Sequence, residues 1–118
     1  MVEIIKELSI EQFKQLQNIT SKNILIKFSA VWCKPCEKIK DYVHNKYSEL
    51  DENKVLIVEL DIDKQNEIFT FLKTKKMIKG VPSILLWRKS GGDEWYIPDD
   101  SVSGSNYEEI DKFFNRCK

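Results

Sequence analysis

Hydrophobic residues along the chain form two kinds of pattern: short continuous runs, and runs in which they recur every three or four residues. Two of the continuous runs, residues 24–29 and 55–60, are apolar on both faces apart from one charge each, Lys27 and Glu59. A strand buried between two layers of helices has this pattern. We therefore predict that both segments are inner strands of a sheet.

The spaced runs predict helices. The first follows Ser9, which predicts an N-cap because Gln12 stands three residues later, as in a capping box. The second follows Cys36 and repeats apolar residues at four-residue steps. The four predicted helices cover about residues 9–18, 37–50, 67–73 and 106–117.

A short edge strand is expected at residues 2–5. After residue 82, two apolar segments at 83–88 and 94–97 flank a loop with adjacent glycines, which predicts an antiparallel hairpin. Because strands and helices alternate before this point, the right-handed crossover rule predicts parallel pairing there. The prediction is an α/β fold: a central mixed sheet with a parallel core and a C-terminal antiparallel hairpin, flanked by helices on both faces.

The length of 118 residues and the hydrophobic content of 42% are sufficient for one packed domain, which we expect to span residues 1–118 as a monomer. Nineteen basic and nineteen acidic residues cancel and are interspersed, which disfavours nucleic acid and membrane partners. The first 18 residues carry three glutamates and no continuous apolar stretch, and the cysteines are odd in number. We therefore expect no secretory signal and a cytoplasmic location.

Cys33 and Cys36 lie two residues apart, where a predicted strand meets the second helix. Two thiols at this spacing can form and break one disulfide. At a helix N-terminus, unpaired N–H groups and the helix dipole favour an anion, so the Cys33 sulfur can be a thiolate near neutral pH. Pro35 fits the first helical turn, where its missing N–H costs little. The stretch therefore predicts a redox-active dithiol.

A zinc site is the alternative for this cysteine pair. Structural zinc takes four ligands, and the remaining candidates are Cys117 and His44. His44 lies about 12 Å from Cys36 along the predicted helix axis, too far to share a metal or to act as a base for the thiols. We therefore favour redox chemistry, expect no metal and no organic cofactor, and interpret His44 as a surface histidine.

Residues 28–36 resemble the strand, loop and active-site motif of the thioredoxin family, and Gly-Val-Pro-Ser at 80–83 resembles the segment that carries its cis-proline. Residues 58–63 resemble the strand between them, so the resemblance spans nearly the whole chain. It implies a thioredoxin fold, with Cys33 as the exposed nucleophile and Cys36 as the buried resolving thiol. It also implies disulfide-containing protein substrates and a thioredoxin reductase-type electron donor.

The same resemblance implies that Trp32, Val81 and Pro82 form the surface on which a substrate docks. Pro82 would be in cis, and Val81 would offer main-chain hydrogen bonds to an extended substrate. Lys34 stands where the family most often has glycine. It either adds favourable charge for the Cys33 thiolate or is simply solvated.

Lys27 and Glu59 depart from the family's pattern. Thioredoxins usually carry a buried aspartate at the first position and a lysine at the second, so both charges are reversed here. The two residues either form a partly buried pair with exchanged polarity, or Lys27 extends to solvent and Glu59 faces water. In the first case Lys27 favours the thiolate. This predicts a protein more oxidising than thioredoxin, for which the potential is about −270 mV.

The predicted function is that of a thiol–disulfide oxidoreductase which reduces protein disulfides. Two alternatives stay open. One is a more oxidising member of the same enzyme class, acting as an oxidase or isomerase. The other is a thioredoxin-fold scaffold that binds a partner without turnover.

Overall fold

The computed structural model describes residues 3–89 and 94–118. Strands and helices alternate along most of this part of the chain, as the sequence predicts. The elements in chain order are β1 (Ile4–Ile5), α1 (Ile10–Ile19), β2 (Asn23–Ser29), α2 (Lys34–Tyr47), β3 (Val55–Asp61), α3 (Glu67–Thr74), β4 (Ser83–Trp87), β5 (Asp100–Ser103) and α4 (Tyr107–Cys117).

The strands form one mixed sheet in the order β1-β3-β2-β4-β5. β3 pairs in parallel with β1 and β2, whereas β4 pairs antiparallel with β2 and β5. This topology confirms the predicted fold class. In the register of β2 and β3, Lys27 lies directly beside Glu59.

The last strand does not lie where the sequence predicted it. Residues 94–97 form a turn in which the Ile97 N–H donates to the Glu94 carbonyl at 3.2 Å, and β5 is the partner of β4 instead. Trp95 and Tyr96 both pack against Phe71. Neighbouring residues of a strand point to opposite faces, so this aromatic packing is incompatible with a strand. Most of the predicted hairpin loop, residues 90–93, lies outside the described residues.

Helices pack on both faces of the sheet. The cluster under α2 and α4 includes Tyr47, Phe113 and Phe114, and the cluster under α1 and α3 includes Phe13 and Leu72. Within the described residues, none of the helices has the length and apolar composition that crossing a bilayer requires.

The helix starts follow the capping signals in the sequence. Ser9 and Gln12 form the predicted capping box, since each side chain accepts the other's backbone N–H. The second helix begins at Lys34, earlier than predicted, because Cys33 itself is the N-cap. This early start places both cysteines at the helix N-terminus.

Candidate active site

Cys33 and Cys36 form a disulfide at the carboxyl end of β2, with their Cα atoms 5.3 Å apart. Cys33 caps α2, and its Sγ accepts the backbone N–H of Cys36 at 3.2 Å. Pro35 lies in the first turn, as predicted. A sulfur at this position receives an N–H hydrogen bond and the positive end of the helix dipole, both of which stabilise a thiolate.

Both cysteines are buried in this oxidised state, Cys33 with 5% exposure and Cys36 with 4%. Cys33 is therefore less exposed than the family resemblance implied. The reason is that the disulfide packs with Ala30, while Ile62 and Val81 cover it from two other parts of the chain. The two sulfurs therefore do not differ in exposure. They differ in position, since Cys33 is the N-cap of α2 and Cys36 lies within its first turn.

The three predicted docking residues lie around this disulfide. Trp32 is 62% exposed, and its indole N–H donates to Asp63 Oδ2 at 2.9 Å. Val81 packs against the cysteine cluster, and the peptide bond between Val81 and Pro82 is cis, as the resemblance implied. The Pro82 carbonyl accepts the N–H of Gly104 at 2.9 Å, which holds this loop to the end of β5. Their role in docking a substrate stays a prediction.

Lys27 and Glu59 form the buried pair that the sequence left as one of two alternatives. They are 3% and 8% exposed, and Lys27 Nζ lies 3.6 Å from Glu59 Oε2. Glu59 has three more partners. Lys6 Nζ lies 2.6 Å from Oε1, Tyr47 donates its hydroxyl to Oε2 at 2.8 Å, and His44 Nε2 lies 2.9 Å from Oε2. We call these five residues the Glu59 network.

The sequence missed the contribution of His44 and Lys6 to this network. His44 lies at the surface with 36% of its side chain exposed, as predicted, but it also contacts the buried Glu59 carboxylate, which the sequence did not predict. The available signal was the three-residue spacing of His44 and Tyr47, which places both on one face of α2. Lys6 reaches Glu59 because β1 runs parallel beside β3.

Burial and charge act in opposite directions within the Glu59 network. Burial lowers the pKa of Lys27, and the neighbouring Glu59 charge offsets part of this effect. Burial alone would raise the pKa of Glu59. The hydrogen bonds from Lys6 and Tyr47 and the charges of Lys27 and His44 outweigh it and hold that pKa at about 2. Glu59 is therefore ionised throughout the physiological pH range.

A cleft of about 380 Å³ joins the network to the disulfide, since Cys36 lines it together with Lys27, His44 and Glu59. The exposed Lys40 lines the same cleft. The charged residues of the network therefore line the same space as Cys36. Because Lys27 and Cys36 line the same cleft, the Lys27 charge can contribute to the electrostatic potential at the Cys36 sulfur.

Lys34 and Cys117 are the remaining candidate residues. Lys34 is exposed in the first turn of α2. Cys117 is buried, and burial, together with the nearby Asp100 carboxylate, raises the pKa of its thiol to about 12. Such a thiol is unreactive at neutral pH. Across residues 3–89 and 94–118, no three His, Cys, Asp or Glu side chains are grouped as metal ligands.

Comparison with known proteins gives consistent matches. The sequence profile of the thioredoxin family matches residues 4–116. Thioredoxin 3 of Plasmodium falciparum is 36% identical over 104 residues, which are 88% of this chain and 51% of that protein. A thioredoxin of Ophiophagus hannah is 34% identical over 77 residues, 65% of this chain and 70% of its own length. The chain thus spans about half the length of the first of these relatives.

Solved structures have the same fold. The crystal structure of a Plasmodium falciparum thioredoxin is 31% identical in sequence, with a TM-score of 0.67 over 96% of this chain and 85% of that one. A thioredoxin of Malassezia sympodialis has a TM-score of 0.69 over 98% and 94% of the two chains, and at 24% identity it supports the fold alone.

Proposed function

The chain belongs to the thioredoxin family, and from this membership and the Cys33–Cys36 disulfide we propose that it reduces disulfide bonds in protein substrates. Family membership and the disulfide support thiol–disulfide oxidoreductase activity in general. The direction of the reaction and the class of substrate are our proposal. The observation that carries it is the Cys33 sulfur, which caps α2 and accepts the Cys36 N–H.

The proposed reaction consists of two thiol–disulfide exchanges. In the reduced protein, the Cys33 thiolate attacks one sulfur of the substrate disulfide, and the other substrate sulfur leaves as a thiolate and takes up a proton. The Cys36 thiol then loses its proton and attacks Cys33 in the mixed disulfide, which releases the second substrate sulfur. Two electrons pass to the substrate, which ends as two thiols, while the protein ends with the Cys33–Cys36 disulfide.

The surrounding residues support this assignment in different ways. Trp32, exposed beside Cys33, and the loop with Val81 and Pro82, which packs on the disulfide, are proposed to form the docking surface. Lys27 and Glu59 are proposed to tune the potential through the cleft at Cys36. Each cycle needs two electrons from a donor, for which we propose a thioredoxin reductase-type protein.

A disulfide reduction assay tests the proposal. Insulin reduction with dithiothreitol as electron donor should proceed with the wild-type protein and stop with Cys33→Ser, while Cys117→Ser serves as the matched control and should keep full activity. Cys36→Ser should accumulate a mixed disulfide on Cys33, which mass spectrometry detects. Loss of activity in Cys117→Ser, or equal activity in Cys33→Ser and wild type, would contradict the assignment of residues.

One observation favours a second candidate, a scaffold without turnover. Both cysteines are buried in the oxidised state, in which Ile62 and Val81 pack against them, so a reductant has little access to the disulfide. A scaffold would fail to reduce insulin in the wild-type form and would bind its partner equally well with Cys33→Ser. The insulin assay therefore separates the two functions.

A further inference from the structure

The neutral net charge of the chain hides an uneven distribution of charged residues. Residues 68–89 carry six basic side chains and no acidic one. Since bases and acids are equal in number over the whole chain, acids outnumber bases in the remainder. The expectation that lysines are interspersed with acids is therefore wrong for this stretch. The six basic residues are Lys73, Lys75, Lys76, Lys79, Arg88 and Lys89.

The lysines at the end of α3 do not all have the same role. Lys73 and Lys75 lie over aromatic rings, 5.8 and 5.7 Å from the ring centroids, and cations at a helix C-terminus interact favourably with the helix dipole. These contacts account for both residues structurally. Lys76 and Lys79 are also exposed, and among the described residues neither side chain forms an ion pair or a hydrogen bond.

The backbone holds these two lysines in place. Lys76 has a positive φ of 61°, and its N–H donates to the Lys73 carbonyl at 3.0 Å, while the next N–H, of Met77, donates to Leu72 at 2.9 Å. Ile78, between the two lysines, is buried in the core. The backbone of this turn is therefore held in place on both sides of Lys76. The side chains of Lys76 and Lys79 extend from this ordered segment.

This turn leads directly to the disulfide. Lys79 stands two residues before Val81, so their Cα atoms are at most about 7.6 Å apart, and Val81 packs against Cys33 and Cys36. Among the acids near the site, Asp63 binds the Trp32 indole and Asp61 Oδ1 accepts the N–H of Asp63 at 2.9 Å. These two aspartates thus lie near Trp32, and Glu37 and Glu59 line the cleft at Cys36. The two free lysines precede Val81 in the chain.

We propose that the protein prefers substrates with acidic residues beside the disulfide that it reduces, and that Lys76 and Lys79 attract those residues. The inference rests on the proposed function and specifies its substrate class. Opposite charges on two partners accelerate their encounter and fix its orientation, an effect that salt weakens. The continuity of the lysines with the disulfide favours a protein partner over a nucleic acid, since a protein supplies the disulfide as well as the charge.

The test uses the reduced protein and three synthetic peptides that have the same single disulfide, flanked by Glu, by Gln or by Lys. At low ionic strength the Glu peptide should be reduced about tenfold faster than the Gln peptide, and the Lys peptide more slowly. The preference should fall to within about twofold at 1 M salt. In Lys76→Asn/Lys79→Gln, it should also fall to about twofold at low salt, while the rate for the Gln peptide stays unchanged.

The control variant Lys22→Gln/Lys54→Gln removes two lysines at the opposite end of β2 and β3, with the same change in net charge. It should keep the wild-type preference. Equal rates for Glu and Gln peptides, or a preference that survives Lys76→Asn/Lys79→Gln, would overturn the inference and leave the proposed function intact. Failure to reduce any of the peptides would overturn the proposed function itself. Lysine-dependent binding of a single-stranded DNA oligonucleotide without peptide preference would assign the surface to nucleic acid instead.

Discussion

Replacement of Glu59 by glutamine should change how the stability of the protein depends on pH. Glu59→Gln keeps the size of the side chain and an oxygen that accepts the Tyr47 hydroxyl, but it removes the charge that faces Lys27. We expect the variant to be less stable than the wild type near neutral pH. The difference should shrink as the pH falls, because the wild-type carboxylate becomes protonated.

The size of the effect follows from the pKa of Glu59, which is lowered from 4.5 to about 2 in the folded protein. One pKa unit corresponds to about 1.4 kcal/mol, so ionised Glu59 stabilises the folded state by about 3 kcal/mol. Since the folded-state pKa lies below the unfolded-state value, this contribution is complete above pH 4.5 and is lost as the pH falls towards 2. The Lys27 charge is one of the causes of this lowered pKa, so the lost attraction between Lys27 and Glu59 is already included in the figure of about 3 kcal/mol.

Urea denaturation followed by circular dichroism provides the measurement. The difference in free energy of unfolding between wild type and Glu59→Gln should be about 3 kcal/mol at pH 6 and about half of that at pH 3. Glu52→Gln, a change of the same kind at an exposed turn residue, is the matched control and should differ from wild type by a small, constant amount. A Glu59→Gln difference that does not vary between pH 6 and pH 3 would refute the reasoning.

Three further predictions concern other parts of the molecule. Lys27→Met removes the cation that lines the cleft at Cys36. Equilibration with glutathione buffers should therefore give a reduction potential that is more negative by tens of millivolts, at about 30 mV per 1.4 kcal/mol. An unchanged potential would show that Lys27 does not affect it. Cys117, with a thiol pKa of about 12, should resist iodoacetamide in the native reduced protein at pH 8 and react only after denaturation, as mass spectrometry of the last helix will report. Ser9→Ala removes the α1 cap and should lower the free energy of unfolding by about 1 kcal/mol in urea, and a smaller loss than a few tenths would mean that the cap is dispensable.

Most of the fold was predictable because its signals are local. Continuous apolar runs identified β2 and β3, and spaced apolar residues identified the helices. The last strand, β5, was missed because Val102 is its single apolar side chain, so the segment has almost no hydrophobic pattern. Its position follows from pairing with β4, and Trp95 and Tyr96 gave a stronger but misleading signal nearby.

The active site was predictable to the extent that it is local in sequence. The spacing of the two cysteines before a helix was enough to predict their proximity. Some contacts between distant segments were missed, although the pair of Lys27 and Glu59 was one of two alternatives. The burial of Cys33 depends on Ile62 and Val81, and the position of His44 against Glu59 depends on how α2 rotates over the sheet, which tertiary packing decides.

The Cys33 sulfur has two roles. It is the atom proposed to exchange bonds with substrates, and it also caps α2. A reagent that occupies this sulfur changes the first turn of a helix whose later turns bring Val43 and Tyr47 into the core. Covalent labelling of Cys33 should therefore change the stability of the fold as well as block the proposed chemistry. A shift in melting temperature on labelling would measure this change in stability.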